Sequence, residues 1–157
     1  MKATNGYSGV QIALHWLVAV LIIVAWFTGE GADEALDMIE DGGVAGFVPH
    51  VAVGLAILAL VLVRLLVRLS RGAPAAPGVP GSWQVAAADW GHRLIYLLMI
   101  AVPLGGISVF FLGLEVGDMH ELAANALMLI VLGHALVALY HQYVLKDGLL
   151  RRMMKAG

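Results

Sequence analysis

His120 and His134 lie fourteen positions apart on one apolar segment, and His15 and His50 lie in two further apolar segments at matching depths. Neutral imidazole is the commonest side-chain ligand for metals. At roughly 100° and 1.5 Å per residue, fourteen positions turn a helix nearly four whole times, so both rings face one way about 21 Å apart. A zinc ion needs its nitrogen ligands about 2 Å away, so one closed site of four histidines is excluded if the segment is a single helix. Two sites remain, one pairing His50 with His120 and the other pairing His15 with His134. His141 competes with His134 for the second pairing, because it lies seven residues further along the same face. Histidine pairs at two depths are how a four-helix bundle holds two haems, one above the other.

Positioning these rings falls to the apolar segments. The chain has 157 residues, of which 61% are hydrophobic and 13% charged, with a mean hydropathy of +0.91. Soluble domains carry about a quarter charged residues, so this composition indicates an integral membrane protein. Four stretches, approximately 9–28, 48–69, 90–112 and 119–143, are long enough to cross about 30 Å of hydrocarbon. Residues 1–157 therefore read as one all-α membrane domain, a four-helix bundle. A histidine within a span is costly unless it meets a partner, a cavity or a metal. An interhelical hydrogen bond explains one such residue, whereas four at two matched depths point to haem iron. With no cysteine there is no disulfide, no thiolate-held iron–sulfur cluster and no covalent haem attachment. The seven methionines suit core filling better than axial ligation.

Every Lys and Arg falls on one side of the spans: Lys2 at the start, Arg64, Arg68, Arg71 and Arg93 around the second connection, and Lys146, Arg151, Arg152 and Lys155 at the end. The positive-inside rule then makes both termini cytoplasmic. Glu30, Asp33, Glu34, Asp37, Glu40, Asp41, Glu115, Asp118 and Glu121 fall on the other side, leaving Asp89 and Asp147 among the cations. A net charge of −2 thus conceals two faces of opposite sign. The first span has features of a secretory signal, but it exceeds an h-region of about 7–15 residues and contains His15 and Trp16.

Ser8 followed by Gln11 forms a capping box that starts the first helix, and Gly29 and Gly31 end it. Residues 29–47 are expected as an acidic outer loop, and Pro49 suits the first turn of the second span, placing His50 at the outer surface. Pro74, Pro77 and Pro80 make 70–89 an extended linker, with Trp83 and Trp90 suited to the headgroup layer. Pro103, Gly105 and Gly106 should kink the third span or thin it for close packing. Asp118 with Glu121 suggests a second capping box, which puts His120 in the first turn of the fourth helix. Gly54 and Gly133 leave room for a flat macrocycle to approach the backbone. Arg64 and Arg68 are candidates to bind haem propionates or to act as snorkelling anchors, the second role suiting Arg68 better. His120-Glu121 begins like H-E-x-x-H, but Ala124 occupies the second ligand position.

The stretch Ser8 to Leu17 resembles the first-helix motif of the prokaryotic cytochrome b561 family. So do Arg64-Leu-Leu-Val-Arg68, Gly91-His-Arg-Leu-Ile-Tyr96, His120-Glu-Leu-Ala-Ala-Asn125 and His141-Gln-Tyr-Val-Leu-Lys-Asp147, and the likeness covers nearly the whole chain. The resemblance implies a four-helix, di-haem protein of the bacterial inner membrane that exchanges electrons with quinone. By motif, His15 and His134 would ligate the inner haem b, and His50 and His120 the outer one. The family's counterpart of His141 lies near a quinone site, which resolves the competition in favour of His134. His92, Arg93 and His141 are the quinone candidates here, since reducing a quinone oxygen requires a proton donor at the membrane surface. Two features depart from the family's superoxide oxidases, which pass electrons from periplasmic superoxide to ubiquinone. The connection from Gly113 to Asp118 is short, and the outer face has no Lys or Arg to steer in a small anion.

The expectation is a wire of two b haems between a periplasmic redox partner and quinone, with no nucleophile or base for bond-making catalysis and no nucleic-acid partner. Its direction, as quinone reductase or quinol oxidase, stays open. Two alternatives are a superoxide:quinone oxidoreductase and a cytochrome anchor subunit of a larger dehydrogenase or respiratory complex. A non-redox membrane structural protein would be colourless.

Overall fold

A computed structural model describes residues 6–75 and 78–157; Lys2 and Pro77 lie outside the described residues. Five α-helices follow in order: α1 (Gly9–Phe27), α2 (Glu30–Glu40), α3 (Pro49–Arg71), α4 (Trp83–Leu112) and α5 (Gly117–Tyr140). A π-turn, His141–Leu145, and a short 3-10 turn, Leu150–Met153, complete the chain. Among the described residues there is no strand. Four helices, α1, α3, α4 and α5 with its π continuation, are long and apolar enough to cross a membrane. The protein is all-α and multi-pass.

Local sequence explains most helix ends. Ser8 caps α1 with Gln11 in a reciprocal capping box, and the Gln11 amide donates to the Gly72 carbonyl at 2.9 Å, tying the start of α1 to the end of α3. Pro49 occupies the first turn of α3. The third span starts seven residues earlier than expected, because Ser82 caps it and Trp83 to Asp89 continue the helix. Its 30 residues make about 45 Å of helix, more than the hydrocarbon thickness requires. α4 stops at Gly113, whose left-handed φ of 63° closes the last turn without Cβ strain.

Two further expectations fail. The acidic outer loop contains a helix, α2, whose Ala32 and Ala35 pack with Val48 against Ala45, Val51 and Phe110. Glu30 and Asp33 in its first turn complement the positive end of the helix dipole. Asp118 does not cap α5 either: the cap position is Val116, with no side-chain hydrogen bond. Helix from Gly117 already places Asp118 inside the first turn, where its charge favours the N-terminus.

The core of the bundle is narrow. Val18, Ile22, Ile57, Val61, Met99 and Leu127 converge from the four spans, while most large apolar side chains face outward, as hydrocarbon surroundings permit. α1 packs extensively on α3, α3 on α4 and α4 on α5, but α1 meets α5 along a sparse seam. Trp26 crosses that seam to donate to the Asn125 side chain at 3.2 Å.

Candidate functional site

His50 is the second residue of α3 and His120 the fourth of α5. Their rings face each other at the acidic end, with centroids 6.0 Å apart and planes at 86°. His50 Nδ1–H donates to the Ala25 carbonyl and His120 Nδ1–H to the Val102 carbonyl, each at 2.9 Å. A carbonyl has no proton to give, so each neutral ring keeps its lone pair on Nε2. Ala25 lies in the last turn of α1, where its carbonyl also accepts from the Thr28 N–H at 3.2 Å and the Thr28 hydroxyl at 3.1 Å. A Cβ on Gly106 would lie 3.1 Å from His120 Cε1, and one on Gly105 3.5 Å from its Nδ1. These glycines thin α4 so that the ring can rest on it.

At the basic end the His15 and His134 centroids are 6.4 Å apart with planes at 64°, across the α1–α5 seam. His92 of α4 joins them, 5.2 Å from the His134 ring, and donates Nδ1–H to the Ala88 carbonyl at 2.6 Å. The three rings, Arg64, Tyr96 and Met99 line an open cleft. His15 Nδ1 is buried there without a hydrogen-bond partner. The Arg64 and Arg68 guanidinium carbons lie 5.4 and 6.0 Å from the Tyr96 centroid.

Both pairs fit axial ligation. A metal about 2 Å from each nitrogen, plus roughly 1 Å from nitrogen to ring centroid on either side, separates the centroids by about 6 Å. The 5.2 Å between His92 and His134 is short for that role. Among the described residues no group of three or more His, Cys, Asp and Glu side chains could hold a metal. A bare ion would therefore find two ligands, whereas a haem brings its own four equatorial nitrogens. The cleft beside His15 and His134 suits the same group.

Among the other expected residues, Gly54 and Gly133 have open space where a Cβ would lie. His141 is held away from the pairs on the π-turn, where its Nδ1 meets Asp147 Oδ2 at 2.5 Å. That hydrogen bond, joined by one from the Leu149 N–H, holds the Asp147 carboxyl below the usual carboxylate range. Arg93 lies over the Trp90 ring, 5.0 Å from its centroid. His92 faces the basic-end cleft, so the quinone candidates occupy three different settings.

Residues 6–156 match the sequence pattern of prokaryotic cytochrome b561. The chain belongs to the prokaryotic cytochrome b561 family. It is 44% identical to cytochrome b562 of Cereibacter sphaeroides, with 99% of each chain covered. A probable superoxide oxidase, CybB, of Yersinia pestis is 34% identical, over 94% of this chain and 95% of its own. Cytochrome b561 homolog 1 of Escherichia coli is 28% identical, over 96% and 97%. This cytochrome is thus a haem b protein of membrane electron transport. Sequence reasoning missed His92 as a member of the basic-end cluster. The signal was its spacing: His92, Tyr96, Met99 and Pro103 form one stripe of α4, and Met99 and Pro103 are its buried residues.

Proposed function

We propose that this cytochrome carries electrons across the bacterial inner membrane through two b haems, between an outer redox partner and the quinone pool. Two histidine pairs at axial-ligand separation, 6.0 and 6.4 Å, carried about 21 Å apart on α5, are the supporting observation. His50 and His120 hold the outer haem; His15 and His134 hold the inner one, with Arg64 placed for its propionates. Bound iron supplies one-electron chemistry. The chain, as one domain with cytoplasmic termini, fixes the tautomers of His50 and His120 through backbone carbonyls. At the inner rim His141, oriented by Asp147, exchanges protons with a quinone, and Arg93 and His92 add polar groups on that side. The acidic α2 receives a redox protein with a basic face. A pyridine haemochrome count with a reduced-minus-oxidised spectrum should give two b haems per chain; one or none overturns the reading.

Superoxide oxidation is the second reading, favoured by the Yersinia pestis relative named a probable superoxide oxidase. No Lys or Arg lies between residues 3 and 63 or between 94 and 145, so the outer face repels a small anion. Superoxide added to oxidised protein should leave the haems oxidised. Stoichiometric haem reduction would make this second reading the function.

A further inference from the structure

The two histidine pairs sit in different electrostatic surroundings. At the outer pair, both rings donate Nδ1–H to backbone carbonyls, His50 to Ala25 and His120 to Val102. Such a bond raises the basicity of the ligand and its donation through Nε2. A stronger donor favours ferric over ferrous iron, and so lowers the reduction potential. Carboxylates act in the same sense. Asp118 and Glu121 flank His120 in sequence, and Glu30, Asp33, Glu34, Asp37, Glu40 and Asp41 crowd α2 and its end.

The inner pair has the opposite surroundings. His15 Nδ1 is buried with no acceptor, so its ring lacks that enrichment. Arg64, half-buried, lines the same cleft as His15 and His134, and Arg68 shares the Tyr96 ring with it. A cation in a partly dehydrated site stabilises an added electron more than one in water does. Helix dipoles do not reverse this contrast. In an antiparallel arrangement of α1, α3, α4 and α5 each end collects two helix starts and two helix ends, which offset.

We infer that these groups separate the two haem potentials: Arg64 raises the inner one, while the Ala25 and Val102 carbonyls, with Asp118 and Glu121, lower the outer one. The inference rests on the two-haem reading above. The step it governs moves one electron from outer ferrous to inner ferric iron, with no bond made or broken. A one-electron reductant at the outer face supplies the electron, and a quinone taking two electrons and two protons at the inner face removes electrons in pairs. Arg64 therefore biases the wire inward. The shared electron should favour the inner site at least tenfold, equivalent to about 59 mV for one electron.

Potentiometry on the detergent-purified holoprotein, followed by haem absorbance, tests this. The wild type should show two one-electron components at least that far apart. Arg64→Gln should lower the higher component and leave the other in place. Asp118→Asn with Glu121→Gln should raise the lower component, and this pair decides the matter if Arg64→Gln fails to retain haem. The inference is overturned if Arg64→Gln shifts the lower component, if the carboxylate variant shifts the higher one, or if neither variant departs from the wild type. A haem count below two overturns the underlying reading first, and so separates that failure from this one.

Discussion

At the acidic end of the bundle each histidine stands near the start of its helix and is pinned by a carbonyl of another helix, with Gly105 and Gly106 pressed against one ring. At the basic end His15, His92 and His134 come from three helices, line an open cleft, and leave one buried nitrogen unpaired. The first site has its rotamers and tautomers fixed by the polypeptide. In the second, the ligand's own shape and polar groups must complete the geometry. A fixed site loses less side-chain freedom on binding. On the two-haem reading, the difference is between two routes to the same coordination: preorganisation by backbone hydrogen bonds, and convergence of several side chains on a cavity.

Removing a ligand breaks the comparison most completely. His120→Ala should take the haem count from two to one by emptying the outer site, and His134→Ala should do the same at the inner site. Loss of the same spectral component in both variants would sink the pairing. His141→Leu should leave both haems bound while slowing their oxidation by quinone about a hundredfold, the usual scale for losing a positioned proton donor. Stopped-flow oxidation by a soluble quinone measures this, and an unchanged rate would remove His141 from the site.

Packing sharpens the contrast at a smaller scale. Gly106→Val should displace the His120 ring and lower outer-haem occupancy severalfold, whereas Gly117→Ala, with open space at its Cβ, should leave haem content unaltered. Equal occupancy in the two variants would mean that the α4–α5 approach does not hold the ring. Neutralising Asp37, Glu40 and Asp41 to their amides should flatten the salt dependence of electron exchange with a cationic carrier, since the Debye length is about 10 Å at 0.1 M. An unchanged slope would make α2 merely a solvated face.

The smallest expected effect is at Asp147. Its folded pKa lies below the unfolded value, so its contribution is fully present above about pH 4 and fades as pH falls through the folded pKa. Proteolytic protection of the segment after Tyr140 should decline over that acid window in the wild type. Asp147→Asn should be less protected at neutral pH and lack the acid-dependent step.

The spans and the four paired histidines were legible because helical periodicity converts sequence spacing into direction, and because a membrane leaves an imidazole few alternatives. The Ser8 capping box was legible for the same local reason. α2 was not, since its buried face is made of Ala32 and Ala35, and small side chains give little apolar signal beside six carboxylates. The Ala25 and Val102 carbonyls could not be read at all. Every residue carries a carbonyl, so only the packing of one helix on another shows which of them a histidine reaches.

The thin seam between α1 and α5 joins the first and last of these four spans. The ring of four spans therefore cannot close until translation of α5 is complete, and His15 waits on α1 until His134 arrives. On the two-haem reading, a haem gripped by both would be the clasp of that closure, so its supply would be timed against the synthesis of α5. Chains made when haem is scarce would present an unlatched side to lipid and to the proteases that patrol the membrane, and cofactor supply would then set how much of the protein survives.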